Sequence, residues 1–321
     1  MALQSLLLRL GLLVAAQSAS ATLRIASDVA TIEHTPGQIA IDQFYNGNAT
    51  IVEGGIAVLV RSSTSIQLGT NAEIPSLKTY ATSKNLRIIY TMTETYYRIV
   101  ANRKAGIETL ADLKGKRIAT IPTTTAAYFA EKYLATVGLN SSDYSLVSGS
   151  TCMMQPCRAN TMPAQIVAGA VDAIALWEPT PQVAVDMLGG DAVIFQDRGL
   201  YREIVNLQST TDALGDPDTR KEIVAFVKAV MKAQKVFNED PESLYERVAE
   251  IVGSDPGVIK RAWGIHGWRG ALAPDIVEVL IEEEKYVAGL QRRKPWSDEE
   301  VTALVDFSIT EEALANLDNS E

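Results

Sequence analysis

Between Leu86 and Val193 the chain alternates strand-like runs with helical ones, a rhythm that few architectures accommodate. Leu86–Met92, Tyr97–Ala101, Arg117–Ile121, Tyr144–Val147, Ala173–Trp177 and Ala192–Phe195 are short, apolar and mostly bounded by turn formers. Between them, Ala126–Val137 places Phe129, Ala130, Tyr133, Leu134 and Val137 on one face of a 3.6-residue period. Pro163–Ala170 is a shorter example of the same pattern. The alternation predicts an α/β fold with a largely parallel sheet. Further strands are expected at Leu23–Ala26, Ile56–Val60 and Ile204–Gln208. After about residue 215 the pattern changes to amphipathic helices: Thr219–Phe237, Pro241–Val252, Pro256–Trp263, Pro274–Leu290 and Ser297–Val305. Several begin at Asp-Pro or Ser-Asp pairs, which cap a first turn and preset its backbone. A helical third following an α/β body predicts a cap packed on one lobe.

At 321 residues, 47% hydrophobic, the chain can bury one large core or two medium ones. Its net charge of −10 argues against nucleic acid, whose binders displace counterions with clustered Lys and Arg. The nearest basic run, Arg292-Arg293-Lys294, reads as a solvated helix end, and Glu282-Glu283-Glu284 as a solvated helix face. A small anion stays compatible with acidic net charge, because a local pocket can oppose the global field.

Met1–Ala21 carries one positive charge, Arg9, then the apolar run Leu10–Ala16 and the ending Ala19-Ser20-Ala21. That resembles a secretory signal peptide cleaved before Thr22, and its apolar core is too short to span a bilayer. Asn48-Ala49-Thr50 and Asn140-Ser141-Ser142 are glycosylation sequons, meaningful on a eukaryotic secretory route. Cys152 and Cys157, the only cysteines, read as a loop-closing disulfide in an oxidising compartment, the alternative being two free thiols. No zinc or redox spacing accompanies them.

The sharpest local feature is Thr120-Ile-Pro-Thr-Thr-Thr-Ala-Ala-Tyr128, a strand running through Pro122 into a helix. Thr123, Thr124 or Thr125 should cap it, and free N–H groups beside hydroxyls suit a carboxylate, sulfonate or nitrate. Thr70 and Asn71, after Gly69 in a tight turn, can cap a helix over Ala72–Tyr80. Thr91–Tyr97 and Leu176–Pro179 follow strands, where open α/β sheets bind ligands. Trp177 could wall a pocket there, and Glu178 could accept from an amine. Catalytic patterns are thin: no Gly-x-Ser-x-Gly, no His-Glu-x-x-His, and two histidines, His34 and His266, of which His34 could face a cleft.

Several motifs resemble the periplasmic substrate-binding proteins of the nitrate/sulfonate/taurine type. Ile107–Ala119 matches I-x-x-L-x-D-L-K-G-K-x-I-A, Gly138–Val147 matches G-L-x-x-x-D-x-x-x-V, and Gly169–Pro179 matches G-x-V-D-A-x-x-x-W-E-P. The resemblance spans most of residues 86–310. It implies a type 2 periplasmic-binding-protein fold, related to the thiamine-pyrimidine synthase-like proteins, with two lobes closing on a ligand. Residues 22–95 and 205–321 would form lobe one, and 96–204 lobe two. Carried over, Ser27, Thr70, Asn71, Glu94, Thr123, Thr124, Thr125, Trp177 and Glu178 are the ligand-binding candidates, with no catalytic or metal residue and no cofactor. The pattern departs between Leu59 and Gly69, too short for the family's usual helix and strand, and in the loop after the first strand. The implied function is an exported, monomeric binder of a small anion, periplasmic and partnered by a transporter if bacterial. The alternatives are a secreted accessory protein of a biosynthetic pathway or an enzyme on the pyrimidine-synthase-like fold.

Overall fold

A computed structural model describes residues 22–28 and 30–315, so the expected signal peptide lies outside the described residues. The first part of the chain runs β1 (Leu23–Ser27), α1 (Thr35–Gln43), β2 (Ala49–Glu53), α2 (Ile56–Arg61), β3 (Leu68–Asn71), α3 (Glu73–Tyr80) and β4 (Leu86–Thr95). The middle runs β5 (Arg98–Asn102), β6 (Arg117–Thr120), α4 (Thr125–Ala135), β7 (Ser145–Ser148), α5 (Met162–Val167), β8 (Ala173–Leu176), α6 (Thr180–Leu188) and β9 (Ala192–Phe195). Then come β10 (Glu203–Thr210), α7 (Thr211–Gly215), α8 (Pro217–Glu239), α9 (Tyr245–Val252) and α10 (Pro256–Ala262). The chain ends with β11 (His266–Gly267), α11 (Ile276–Leu290), α12 (Asp298–Thr302) and α13 (Ser308–Ala315).

Two sheets result, ordered β11-β4-β10-β3-β1-β2 and β7-β6-β8-β5-β9. Both are mixed, which corrects the expectation of a largely parallel sheet. β1 pairs parallel with β2 and β3, and β6 with β7 and β8, through helical crossovers. The strands that carry the chain between sheets, β4 to β5 and β9 to β10, run antiparallel to their neighbours. Gln196 Nε2 donates to the Tyr96 carbonyl at 2.7 Å, tying the two crossings together.

The six-stranded sheet is covered on both faces. Ile39 of α1, Phe226 of α8, Val248 of α9 and Ile309 of α13 pack with Ile25, Tyr90 and Leu207. Leu59, Ile74, Leu280 and Val301, from α2, α3, α11 and α12, pack with Ile88 and Ile204. The second sheet has its own core around Phe129, Ile166, Ile174 and Ala184. The helical third covers the first sheet and also touches the second lobe. There Val258 meets Cys152 and Val183, and Arg261 pairs with Asp186 at 2.7 Å.

Ile56–Val60, expected as a strand, is the start of α2. A short β-branched run cannot be told from a helix segment by composition. Here Ile56 and Leu59 share the buried face while Ala57 is exposed. Gly69 is no turn; it sits in β3, where a Cβ would come 3.1 Å from Leu59 Cβ, so its missing side chain lets α2 lie on the sheet. Asn71 accepts from the Ala72 amide at 2.9 Å from the strand end, and Ala72 is the helix N-cap.

Glu282–Glu284 is not a solvated face either, because Glu283 and Glu284 are buried. Arg293 supplies Glu284 with a two-pronged partner, and its guanidinium stacks 3.8 Å over Trp296, so that basic residue is not free solvated charge. Cys152 and Cys157 form a disulfide. Asn48 and Asn140 are exposed.

Candidate functional site

Parallel strands leave polar backbone at their carboxyl ends, and the helices that follow point their N-termini back at the same edge. Both sheets turn this edge towards one cavity of about 210 Å³. From the first sheet come Asp28 after β1, Glu53 to Gly55 after β2, and Thr70 to Ala72 at the end of β3. From the second come Thr124 and Thr125 at the start of α4, and Trp177 after β8. Thr31, Glu33, His34, Glu203 and Val205 complete the floor.

Of the sequence-derived candidates, Thr70, Asn71, Thr124, Thr125 and Trp177 line this cavity. Ser27 stands behind it: its hydroxyl is 2.7 Å from that of Thr70, which is 2.7 Å from His34 Nδ1. Thr123 is exposed and holds φ 62°, a strained backbone for a β-branched residue. Lys78 of α3 reaches its carbonyl at 3.2 Å, bridging the two lobes.

Glu94 and Glu178 stand apart from these. Glu94 accepts from Arg202 at 2.6 Å and Arg269 at 2.9 Å. Glu178, expected to accept from a ligand amine, accepts instead from Arg98 Nε at 2.8 Å and the Gln182 amide at 3.0 Å. Buried carboxylates find their own cations during folding where an arginine lies across the strand pair, and Arg98 faces Leu176 in register.

The α4 terminus also differs from expectation. Thr124 is the N-cap, but its hydroxyl donates to the Ile121 carbonyl at 2.7 Å. Thr125 donates to Glu203 at 2.5 Å, so a carboxyl group already sits at the helix end. A helix N-terminus supplies roughly +0.5 charge. Against it stand Asp28, Glu33, Glu53 and Glu203, with no lysine or arginine among the described residues of the cavity wall. The helix end therefore faces a wall that carries four carboxyl groups among the described residues.

Burial, with the Glu33 carboxylate adding to it, pushes Glu203 up to about 7, despite hydrogen bonds from Thr125 and Tyr97. Burial also holds His34 below the usual imidazole range, although Glu33 and Asp28 pull the other way. Sequence reasoning missed Glu33 and Glu203. Neither sits in a motif, and Glu203 reads only as the residue before a strand.

The family model described as "NMT1/THI5 like" matches residues 57–244. The alkanesulfonate-binding protein SsuA from Xanthomonas axonopodis pv. citri, bound to MOPS, superposes with a TM-score of 0.69 at 23% identity, covering 89% of this chain and 98% of that one. The periplasmic aliphatic sulphonate binding protein SsuA from Escherichia coli gives 0.69 at 16%, covering 87% and 96%. The desulfurization enzyme DSZB gives 0.64 at 15%, covering 92% and 99%. No curated protein matches. At these identities the likeness to solved structures is one of periplasmic-binding-protein fold, and that fold hosts binders and an enzyme alike.

Proposed function

Because the chain belongs to the NMT1/THI5-like family, we propose that it is an exported solute-binding protein, monomeric, that holds a small molecule between its two lobes. The observation that carries this reading is the cavity whose walls come from both sheets, with Trp177 facing residues of β3 and the loop after β1. A solute there touches both lobes at once and favours the closed arrangement through contacts made only in it. The sulfonate-binding proteins of the same fold support the reading by analogy. If the source is bacterial, a transporter would receive the solute.

The test is native mass spectrometry of protein from its own source, followed by calorimetric titration of the co-purified molecule into wild type and Trp177→Ala. Loss of the aromatic wall should weaken binding about tenfold or more. Unchanged affinity would place the solute elsewhere. A second reading, catalysis, draws on the Ser27–Thr70–His34 chain of hydrogen bonds. Turnover of the captured molecule that vanishes in His34→Ala would establish it.

A further inference from the structure

We infer that the solute carries a compact organic cation, an ammonium, amidinium or guanidinium group, received by Glu33 with Glu203 beside it; this rests on the solute-binding reading above. Glu33 lies in the short 3-10 turn Ile32–His34 and lines the cavity with its side chain 2% exposed. Neither of its carboxylate oxygens has a hydrogen-bond partner among the described residues. The nearest cationic candidate, His266 Nε2, is 3.6 Å away, beyond hydrogen-bond reach, and is itself without a partner. An ionised carboxylate with bare oxygens is among the costliest things a protein interior can hold.

Elsewhere this chain does not tolerate that arrangement. Glu94 has Arg202 and Arg269, Glu178 has Arg98, and Glu284 has Arg293. Around Glu33 the wall adds carboxyl groups at Asp28, Glu53 and Glu203. No lysine or arginine among the described wall residues supplies an opposite charge, a role that a bound solute can take. Among the described residues no group of three His, Cys, Asp or Glu could hold a metal ion, which favours an organic cation. Trp177 closes the cavity from the other lobe, and an indole ring attracts a cation through its face.

Charge-matched probes separate this inference from the reading beneath it. Benzamidinium, benzamide and benzoate share one shape, as do methylguanidinium and methylurea, and each is titrated calorimetrically into wild type and Glu33→Gln near neutral pH. The expected result is that the cations bind wild type about tenfold or more tighter than their neutral and anionic counterparts, and that Glu33→Gln erases the preference. Equal or tighter binding of benzoate or benzamide would overturn the cation assignment while leaving solute binding intact. A cation preference that survives Glu33→Gln would overturn the role given to Glu33. If no probe of any charge binds, and neither does the co-purified molecule, both readings fall together. The unliganded Glu33→Gln protein, compared with wild type by thermal unfolding, guards against misfolding. A melting temperature equal to or above wild type is expected, and a lower one would mark Glu33 as a structural partner of His266.

Discussion

Buried carboxylates in this molecule fall into two regions that treat the same group in opposite ways. In one, Glu94, Glu178 and Glu284 each face an arginine within 2.9 Å. Along the contact between the lobes, Glu33, Glu73, Glu203 and Glu283 have no arginine or lysine salt bridge, and Glu33 and Glu283 have four bare oxygens between them. Glu203 sits at the centre of this group. Burial, and then its neighbours' carboxylates, hold Glu73 and Glu283 well above the usual range. The difference teaches that burial alone says little about a carboxylate. A matched one fixes a strand end or a helix. An unmatched one at a cavity is open to a partner from solution, and burial raises the pKa of one behind it.

The comparison breaks most visibly at the matched pair. Arg98→Leu strands Glu178 without its partner and should cost about 3–5 kcal/mol in urea unfolding, since a buried charge is left uncompensated. A loss of under 1 kcal/mol would mean the matched pairs are not what holds β5 to β8.

The unmatched group should show itself next as a pH dependence. Glu203 is raised from 4.5 to about 7 on folding, so the native state binds the proton more tightly than the unfolded chain. Its contribution to stability is full below about pH 4.5 and declines as pH rises towards about 7. The decline is on the order of 3 kcal/mol. The groups around Glu203 are Glu33, His266, Thr125, Tyr97, Glu73 and Glu283. Of these, Glu73 and Glu283 are shifted in the same direction, so they deepen the slope. Glu203→Gln should flatten the profile, measured as melting temperature against pH.

A smaller effect sharpens the contrast. Glu283→Gln should stabilise the protein by about 1 kcal/mol at mildly alkaline pH, because it removes a carboxyl that burial and the Glu203 and Glu282 carboxylates hold well above the usual range. The smallest effect belongs to exposed pairs between the lobes. Lys132 meets Glu282 at 2.5 Å, but Glu282 is 54% exposed. Lys132→Ala should cost under about 1 kcal/mol, and less in high salt.

Much of the fold was legible from pattern. Ala192–Phe195 is a strand with the bounds read from the sequence, and the strand–Pro122–threonine–helix junction places Thr124 and Thr125 at the cavity. These features are local: a turn residue, a cap and a period of 2 or 3.6 are written within a dozen residues. Trp177 was legible for the same reason, at the end of β8. What stayed hidden was non-local. Whether Ile56–Val60 is strand or helix depends on Gly69, the glycine of a neighbouring strand that leaves room for it. Whether Glu283 is solvated depends on α11 packing against α3 and β10 around Ile204. Glu178 and Glu33 look alike in sequence; the register of β5 against β8 puts Arg98 opposite Glu178, while Glu33 has only His266 Nε2 at 3.6 Å.

The two carboxylates also provide the most direct test, in the ligand-free protein. Glu178→Gln and Glu33→Gln are the same isosteric change at two fully buried sites, so their melting temperatures can be compared side by side. Opposite outcomes are expected: Glu178→Gln falls by several degrees because Arg98 loses its charge partner, while Glu33→Gln holds or rises because the carboxyl it replaces makes no hydrogen bond. A fall of similar size in both would contradict the division into matched and unmatched regions, and with it the assignment of Glu33 to a partner from solution.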